Sequence, residues 1–239
     1  MIKKAHNNPL SYINKVDIIK KNVPDDYLLS IIDSINILFC RKGQQFILEG
    51  TPVSGLFFIC EGKAKVLKTG INGREQILRF VTEGEIVGHR GFGSKRQYEI
   101  SAFALDDTVL CNFSNATLEK MLREIPNLTY DFMMFYADEL SKSESKVKAI
   151  AQMTVREKVI DTLLYINRKF GENLKGYLNL QLSRKEIAGF AGTTEEQVIR
   201  TLSSLKKEEQ IQTLGKRIKI VNVENLSKEI SEHNFFINS

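Results

Sequence analysis

The sequence of 239 residues lacks any continuous apolar run of about 18 residues, which is the length that a membrane-spanning helix requires. Its first residues, Met1 to Pro9, lack the apolar core of a secretory signal peptide. These absences predict a protein without membrane contact, and we expect a cytoplasmic location.

Cysteine is scarce as well. The three cysteines, Cys40, Cys60 and Cys111, lie far apart in the sequence. An odd and scattered set excludes a disulfide framework, and no two of them have the close spacing of a metal-binding pair. We expect reduced cysteines that serve the core, with a redox role for one of them as the alternative.

Histidine is equally scarce, and recognisable catalytic motifs are missing. His6, His89 and His233 are far apart, whereas a metal-dependent enzyme gathers several histidines and a carboxylate around its ion. The sequence has no Walker loop, no nucleophile–base set and no paired carboxylates. It therefore predicts no enzyme activity, no metal and no cofactor, and a metal-dependent cupin-like enzyme is kept as an alternative.

Glycine, in contrast, is concentrated in the first half, where ten of the 15 glycines fall between Gly43 and Gly93. They separate short runs with the composition of strands, which are Gln45–Leu48, Leu56–Cys60, Ala64–Leu67, Glu75–Val81 and Thr108–Phe113. This pattern is typical of an antiparallel sandwich or closed roll, with a hairpin turn at Asn72-Gly73. A short helix is predicted over residues 25–35, and residues 1–24 are expected to be a loosely ordered extension.

The segment after the predicted roll is mostly helical in pattern. Asn115 can cap a short helix that Pro126 interrupts, and a second helix extends to about Met153. Residues of this second helix recur at alternating intervals of three and four, the spacing of a coiled-coil seam: Met133, Tyr136, Leu140, Ser143, Val147 and Ile150. The seam predicts a homodimer, and packing of the helix on its own roll is the alternative.

Two short helices joined by a tight turn are predicted over residues 182–202, and such a unit fits the major groove of DNA. Ser183 and Thr194 can cap the two helices, each with a Glu or Gln three residues later, and Gly192 supplies the turn. The second helix would bury an apolar stripe and expose a polar face made of Glu195, Glu196, Gln197 and Arg200. A surface hairpin without a DNA role is the alternative.

The surroundings of this unit complete a winged helix. A helix is predicted over residues 154–169, a strand over 176–182 and a hairpin over 211–221, whose basic residues Lys216, Arg217 and Lys219 could meet phosphate. Residues 151–221 hold 13 Lys and Arg against 8 Asp and Glu, an excess of five that equals the net charge of +5 of the whole chain. Counterion release favours such a surface on a polyanion.

The order of these parts resembles the Crp/Fnr family of bacterial transcription regulators, over roughly residues 42–221. The roll signature of the family corresponds to Lys42-Gly43-Gln44, Glu49-Gly50, Glu61-Gly62 and Gly84-Glu85. The resemblance implies that Glu196 and Arg200 read a G·C-rich half-site, since arginine pairs with guanine and glutamate accepts from cytosine. It also implies that Thr194, Glu195 and Gln197 contact further bases, with phosphate contacts from Ser183, Arg184 and Thr193.

The ligand pocket departs from the pattern of the cyclic-AMP-binding members. Gly88-His89-Arg90-Gly91 puts histidine where the family has a glutamate, and Tyr98-Glu99 stands where it has an Arg-Ser pair. A two-residue gap would instead align Arg96, followed by Gln97. On the long helix, Ser143-Glu144 replaces a Thr-Ser pair. We expect a degenerate pocket with an unknown small-molecule effector, and keep a cyclic-AMP-responsive regulator and a metal or haem ligand at His89 as alternatives.

Together these patterns predict an α+β protein with an antiparallel, cyclic-nucleotide-binding-like roll, a long dimerisation helix and a C-terminal winged helix-turn-helix. The expected boundaries are residues 1–114 for the extension and sensor roll, 115–153 for the dimerisation helix, and 154–239 for the DNA-binding domain and tail. The expected partners are double-stranded DNA, a second copy of the chain and RNA polymerase. A regulatory module whose winged helix binds protein instead of DNA is the remaining alternative.

Overall fold

The computed structural model describes residues 9–93 and 95–230. The chain divides into two compact units at the boundary between Tyr136 and Ala137, inside a long helix. The predicted three-part division at residues 114 and 153 stays a prediction. His6, His233 and the ends of the predicted extension and tail, residues 1–8 and 231–239, lie outside the described residues.

From residue 9, where the description begins, the first unit has three short helices before its sheets: α1 (Pro9–Ile13), α2 (Asp17–Asn22) and α3 (Asp25–Ile31). The expectation of a loose extension is wrong for residues 9–24, because Ile13, Val16 and Ile19 are fully buried in the core. Short helices of this kind are held by tertiary packing and not by propensity. The predicted helix over residues 25–35 ends at Ile31, and a single 3₁₀ turn leads into the first strand.

Within the described part of the roll, eight strands follow the helices, and they form two antiparallel sheets. They are β1 (Ile35–Cys40), β2 (Gln45–Ile47), β3 (Gly55–Glu61), β4 (Lys63–Thr69), β5 (Glu75–Thr82), β6 (Ile86–Val87), β7 (Ser101–Ala104) and β8 (Thr108–Ser114). One sheet has the order β1-β8-β3-β6 and the other β2-β7-β4-β5. The five predicted strands are confirmed, whereas β1, β6 and β7 were not predicted. The antiparallel roll is therefore confirmed, with three strands more than the sequence pattern indicated.

Strand β3 shows how the first unit buries its sheets. Successive side chains of a strand point to opposite faces. Phe57 and Ile59 join the core between the two sheets, whereas Phe58 and Cys60 join a second core beneath the helices. Because both faces of β3 are covered, its sequence is continuously apolar and shows no alternation.

The hairpin between β4 and β5 turns at the predicted Asn72-Gly73. Both residues have positive φ angles, 61° and 70°, which asparagine and glycine adopt at little cost. The last pair of the ladder joins Thr69 and Glu75, so the connection is longer than a two-residue turn.

Two helices follow the roll, α4 (Asn115–Glu124) and α5 (Pro126–Gln152). The residue that caps α4 is Ser114 and not Asn115 as predicted, because the Ser114 hydroxyl accepts from the Thr117 amide at 3.1 Å. The Asn115 side chain instead donates to the Val53 carbonyl at 2.7 Å. Among the residues that the structure describes, no helix combines the length and apolar character needed to cross a membrane.

The second unit contains the predicted winged helix. It consists of α6 (Val155–Phe170), α7 (Arg184–Ala191), α8 (Glu195–Lys207), β9 (Ile211–Leu214), β10 (Arg217–Ile220) and α9 (Val223–Glu229). The predicted strand over residues 176–182 is wrong, since this segment forms only the isolated bridge between Leu178 and Glu172. The Leu178 amide donates to the Ile218 carbonyl at 2.9 Å, which ties the loop to the wing without a ladder.

Candidate nucleic-acid interface and ligand loop

Helix α7 begins with the capping box that the sequence predicts. The Ser183 hydroxyl accepts from the Glu186 amide at 3.1 Å, and the Glu186 carboxylate accepts from the Ser183 amide and hydroxyl, both at 2.9 Å. This exchange satisfies two amides that would otherwise be unpaired at the helix start. In the unbound chain the hydroxyl proton of Ser183 is therefore directed to Glu186.

Gly192 sets the angle between α7 and α8. Its backbone is left-handed (φ 69°, ψ 43°), and its amide donates to the Ala188 carbonyl. The Thr193 amide donates to the same carbonyl at 3.1 Å, so the last turn of α7 is closed before the chain reverses. A residue with a Cβ atom would strain this turn.

Helix α8 begins at the cap Thr194, whose hydroxyl accepts from the Gln197 amide at 3.3 Å. A complete capping box would also have the Gln197 side chain accept from the Thr194 amide. Here the Gln197 side-chain oxygen accepts from the Thr193 hydroxyl instead. The first turn of α8 therefore has a cap but no complete capping box.

The two faces of α8 differ sharply. Val198, Leu202 and Leu205 are buried on one face. The other face is exposed and carries Glu195, Glu196, Gln197 and Arg200. Arg200 donates to Glu196 at 2.6 Å, and both side chains are about three-quarters exposed, at 77% and 73%. A pair this exposed adds little to stability, and both side chains remain accessible to a partner.

Arg184 connects the start of α7 to the wing. One nitrogen of its guanidinium donates to the Gly215 carbonyl at 3.2 Å, and burial lowers the pKa of this arginine. Gly215 and Lys216 form the turn between β9 and β10, and the Lys216 and Arg217 side chains are exposed. Lys219 is half-buried, and its stem lies against Gly176. The wing therefore presents two exposed cations beside the start of α7.

In the first unit, the predicted ligand loop follows β6 and comprises residues 88–92. It starts with Gly88 in a left-handed conformation (φ 91°). A Cβ atom on Gly88 would lie 3.0 Å from the Tyr98 ring, and one on Gly91 would lie 2.5 Å from the Val53 side chain. The loop therefore packs directly on neighbouring side chains of the roll.

Tyr98 fills the space beside this loop. Its hydroxyl donates to the Gly55 carbonyl at 2.7 Å and accepts from the Ser54 and Gly55 amides, both at 3.2 Å. The residue is only 3% exposed. The position that holds the phosphate-binding arginine in cyclic-AMP-binding members, aligned without gaps, is therefore a buried phenol whose hydrogen bonds are all within the roll.

The charged candidates near the ligand loop lie at the surface. Glu99 is exposed and lies 3.4 Å from the ammonium of Lys95. Arg96, which the gapped alignment would bring into the pocket, donates to Glu119 of α4 at 3.0 Å and is also exposed. Arg90 is exposed as well.

His89 is buried at 4% exposure among aromatic rings. Its ring meets the rings of Phe135 and Tyr136 edge to face, with centroids at 5.0 and 5.6 Å. The Tyr136 hydroxyl donates to the His89 carbonyl at 2.7 Å. Burial lowers the pKa of His89 well below its ordinary value, so the imidazole is neutral at pH 7.

The partnership of His89 with α5 was missed by sequence reasoning. The sequence pattern places Tyr136 in the predicted seam and gives no role to Phe135. No local signal links these residues to a loop 47 positions earlier. Ser143 belongs to the second unit, where its hydroxyl donates to the Glu139 carbonyl at 2.8 Å within α5.

Cys40, Cys60 and Cys111 are free and buried. The Cys60 thiol beside Cys111, together with burial, raises the pKa of Cys111. Within the described residues, no group of three His, Cys, Asp or Glu side chains could hold a metal ion.

A glycine-turned antiparallel roll, a long helix with an exposed apolar seam and a winged helix-turn-helix define the class of two-domain transcription regulators. Comparison with protein families agrees: the cyclic nucleotide-binding domain matches residues 37–124, and the Crp-like helix-turn-helix domain matches residues 157–229. The chain belongs to the Crp/Fnr family of transcription regulators.

Individual relatives fit this assignment. The chain is 25% identical to the transcriptional activator protein anr of Pseudomonas aeruginosa over 185 residues, which cover 76% of this chain and 75% of the relative. It is also 25% identical to the fumarate and nitrate reduction regulatory protein of Escherichia coli K12 over 192 residues, 79% of this chain and 76% of the relative. The solved structure of FixK2 from Bradyrhizobium japonicum covers 81% of this chain and 96% of its own, with a TM-score of 0.71 and 25% identity.

Proposed function

We propose that this regulator acts as a homodimer that inserts α8 of each subunit into successive major grooves of double-stranded DNA. The observation that carries the proposal is the exposed polar face of α8, which stands opposite a fully buried apolar stripe. A helix anchored on one face and polar on the other is suited to reading base edges. The residues assigned to this contact are Ser183, Arg184, Thr193, Thr194, Glu195, Glu196, Gln197 and Arg200.

Within this set, Arg200 and Glu196 are assigned to base edges. Arginine can donate two hydrogen bonds to guanine, and glutamate can accept one from cytosine, which suits a G·C-rich half-site. Their mutual contact at 2.6 Å places both side chains on the same exposed side of α8 in the free chain. Ser183, Arg184 and Thr193 are assigned to phosphates, together with the wing residues Lys216 and Arg217.

Dimerisation is assigned to the seam on α5. Met133, Leu140 and Val147 are exposed in the single chain at 57%, 62% and 68%. A row of large apolar side chains exposed at heptad spacing gains stability when a second copy covers it. This observation favours the dimer over the alternative in which the helix packs only on its own roll.

The roll is assigned a sensory role that does not depend on cyclic AMP. A cyclic phosphate needs a donor-rich cradle, and the proposal is supported by Tyr98, which occupies the space beside Gly88 and donates its hydroxyl to the Gly55 carbonyl. The effector is left unassigned, and no catalytic role is proposed. The further parts of the proposal are RNA polymerase as a partner, a cytoplasmic location and the division into residues 1–114, 115–153 and 154–239.

The proposal is tested by selecting bound sequences from random double-stranded oligonucleotides. We expect an inverted repeat with half-sites one helical turn apart, and affinity that falls steeply with salt because phosphate contacts release counterions. Sedimentation of the free protein should give a dimer. Absence of DNA binding at low salt, or a strictly monomeric protein, would contradict the proposal, and tighter binding with cyclic AMP would contradict the assignment of the roll.

A further inference from the structure

The end of the long helix α5 is joined to the helix-turn-helix by a buried cation. The Lys146 ammonium lies 3.7 Å from the centroid of the Phe190 ring, on the first helix of the motif, α7. Lys146 as a whole is half-buried, but its charged end lies in the interior, where burial lowers the pKa to about 7. Phe190 itself is only 6% exposed.

A cation over an aromatic face is attracted by the negative charge of the ring, and the attraction is stronger where water is excluded. The Phe190 ring is in turn backed by Tyr165 of α6, with centroids 4.9 Å apart and an angle of 30° between the planes. The contact therefore spans three helices, α5, α6 and α7.

A buried carboxyl group accompanies this cation. Asp161 on α6 is 8% exposed. Burial raises its pKa to about 6, and the charges of Arg168 and Lys146 oppose that rise. An ammonium in the interior is costly unless it finds such partners, so retention of a lysine here needs a reason beyond packing.

The position of Lys146 on α5 supplies that reason. It lies immediately before the seam residue Val147, so an axial rotation of α5 that repacks the seam would also move the ammonium across the Phe190 ring. Helix α7 is joined to α8 by the closed Gly192 turn, so a change in the position of α7 also moves α8.

We propose that Lys146 is the positioning residue through which α5 sets the orientation of α7 and α8 for DNA binding. This inference rests on the proposed function, since it concerns how two recognition helices are held for one site. The cation–π contact links α5, which carries the seam, to α7 of the helix-turn-helix. The negative charge of Asp161 favours the charged form of Lys146.

The test uses the full-length protein and the DNA site obtained by selection, in buffer below pH 7 so that Lys146 is mostly charged. Lys146→Met removes the charge but keeps an unbranched chain, and we expect affinity to fall about tenfold. Lys146→Arg keeps a cation and should restore most of the affinity. Phe190→Leu should weaken DNA binding by a similar factor. In the double variant with Lys146→Met, the fold-loss of affinity should be much smaller than the product of the two single fold-losses, because both changes remove the same contact. Lys142→Met, one turn earlier on an exposed lysine, is the matched control and should bind normally.

Two readouts separate positioning from other roles. The slope of log affinity against log salt should be unchanged in Lys146→Met, whereas loss of a direct phosphate contact would reduce it by about 0.9. A spin label can be attached at the exposed position 203 of α8 through Ser203→Cys, since the three native cysteines are all buried. The distribution of label-to-label distances between subunits should be broader in Lys146→Met than in Lys146→Arg.

Failure of this inference differs from failure of the proposed function. If the wild-type chain binds no DNA, the proposed function fails. If the wild type binds and Lys146→Met binds equally well, or shows the same distance distribution, only the inference is overturned. A Lys146→Met protein that loses thermal stability but keeps full affinity would likewise reduce Lys146 to a structural residue.

Discussion

The face of α8 is the proposed DNA-reading surface and residues 88–92 form the predicted ligand loop, and these two regions treat polar groups in opposite ways. On α8, Arg200 and Glu196 are exposed at 77% and 73%, and they contact each other. In the roll, Tyr98 and His89 are exposed at 3% and 4%, and the Tyr98 hydroxyl is hydrogen-bonded within the roll. Polar groups that face water remain available to a partner, whereas those satisfied internally stabilise the fold.

The largest effect on the free energy of unfolding is expected at Tyr98, which fills the space beside the loop of residues 88–92. Tyr98→Ala removes a ring that contacts the loop at Gly88 and Gly91 and leaves the Gly55 carbonyl without its phenol partner. We expect a loss of about 3–5 kcal/mol in the free energy of unfolding, from the cavity and the lost contacts. Tyr98→Phe should lose about 1–3 kcal/mol, because the ring remains and only the hydrogen bonds go.

Denaturant titration followed by a probe in the roll measures both variants. If Tyr98→Ala left stability unchanged, the roll would not be closed by this side chain. The contrast with α8 would then lose its basis, because the space beside Gly88 would be available to an external ligand.

Local signals in the sequence were sufficient for the helix-turn-helix. The capping box at Ser183 is confirmed, since it involves residues only three positions apart. Gly192 ends α7 as predicted, because a left-handed residue is needed there and glycine adopts it at little cost. The exposed face of α8 followed from the same periodicity that placed Val198 and Leu202 in the core.

The closure of the roll could not be predicted in this way. The bonds of Tyr98 to Gly55 and of Tyr136 to His89 join positions more than 40 residues apart, and no local pattern encodes them. Helices α1 and α2 were missed because they are short and held by packing. The strand expected over residues 176–182 fails for the opposite reason: its alternation is real, but no neighbouring strand pairs with it over more than one bridge.

The second prediction tests whether the exposed face of α8 reads bases. Arg200→Ala should lose discrimination at one base pair of each half-site, worth on the order of 1–3 kcal/mol, because a bidentate contact to guanine is removed. Stability should barely change, since the side chain is exposed. Binding to single-base variants of the selected site measures the effect, and full retention of the preference would refute the role of Arg200.

The third prediction concerns the buried imidazole. The unfolded chain protonates His89 below pH of about 6.5, whereas the folded chain, with its depressed pKa, does not. The unfolded state therefore binds more protons in that range, and the folded state loses stability as pH falls, by up to about 1.4 kcal/mol per pH unit.

His89→Gln removes this proton uptake while leaving every other titrating group in place. The difference in unfolding free energy between variant and wild type should therefore shift by about 1 kcal/mol in favour of the variant between pH 6.5 and 5.5. Denaturant titrations at the two pH values measure it. A constant difference would mean that the folded chain protonates His89 freely, and the roll would then expose a polar group much as α8 does.

The smallest effect separates phosphate contacts from base contacts on α8 itself. Lys207 lies in the last turn of the helix and is exposed, and we expect its charge to meet a phosphate. Lys207→Ala should weaken all DNA sequences by a similar factor and reduce the slope of log affinity against log salt by about 0.9, since one fewer counterion is released. Lys120→Ala makes the same charge change on α4 in the first unit and should leave the slope unaltered. If instead Lys207→Ala changed the preferred sequence, the C-terminal half of α8 would also read bases, and the recognition surface would extend beyond the face that begins at Thr194.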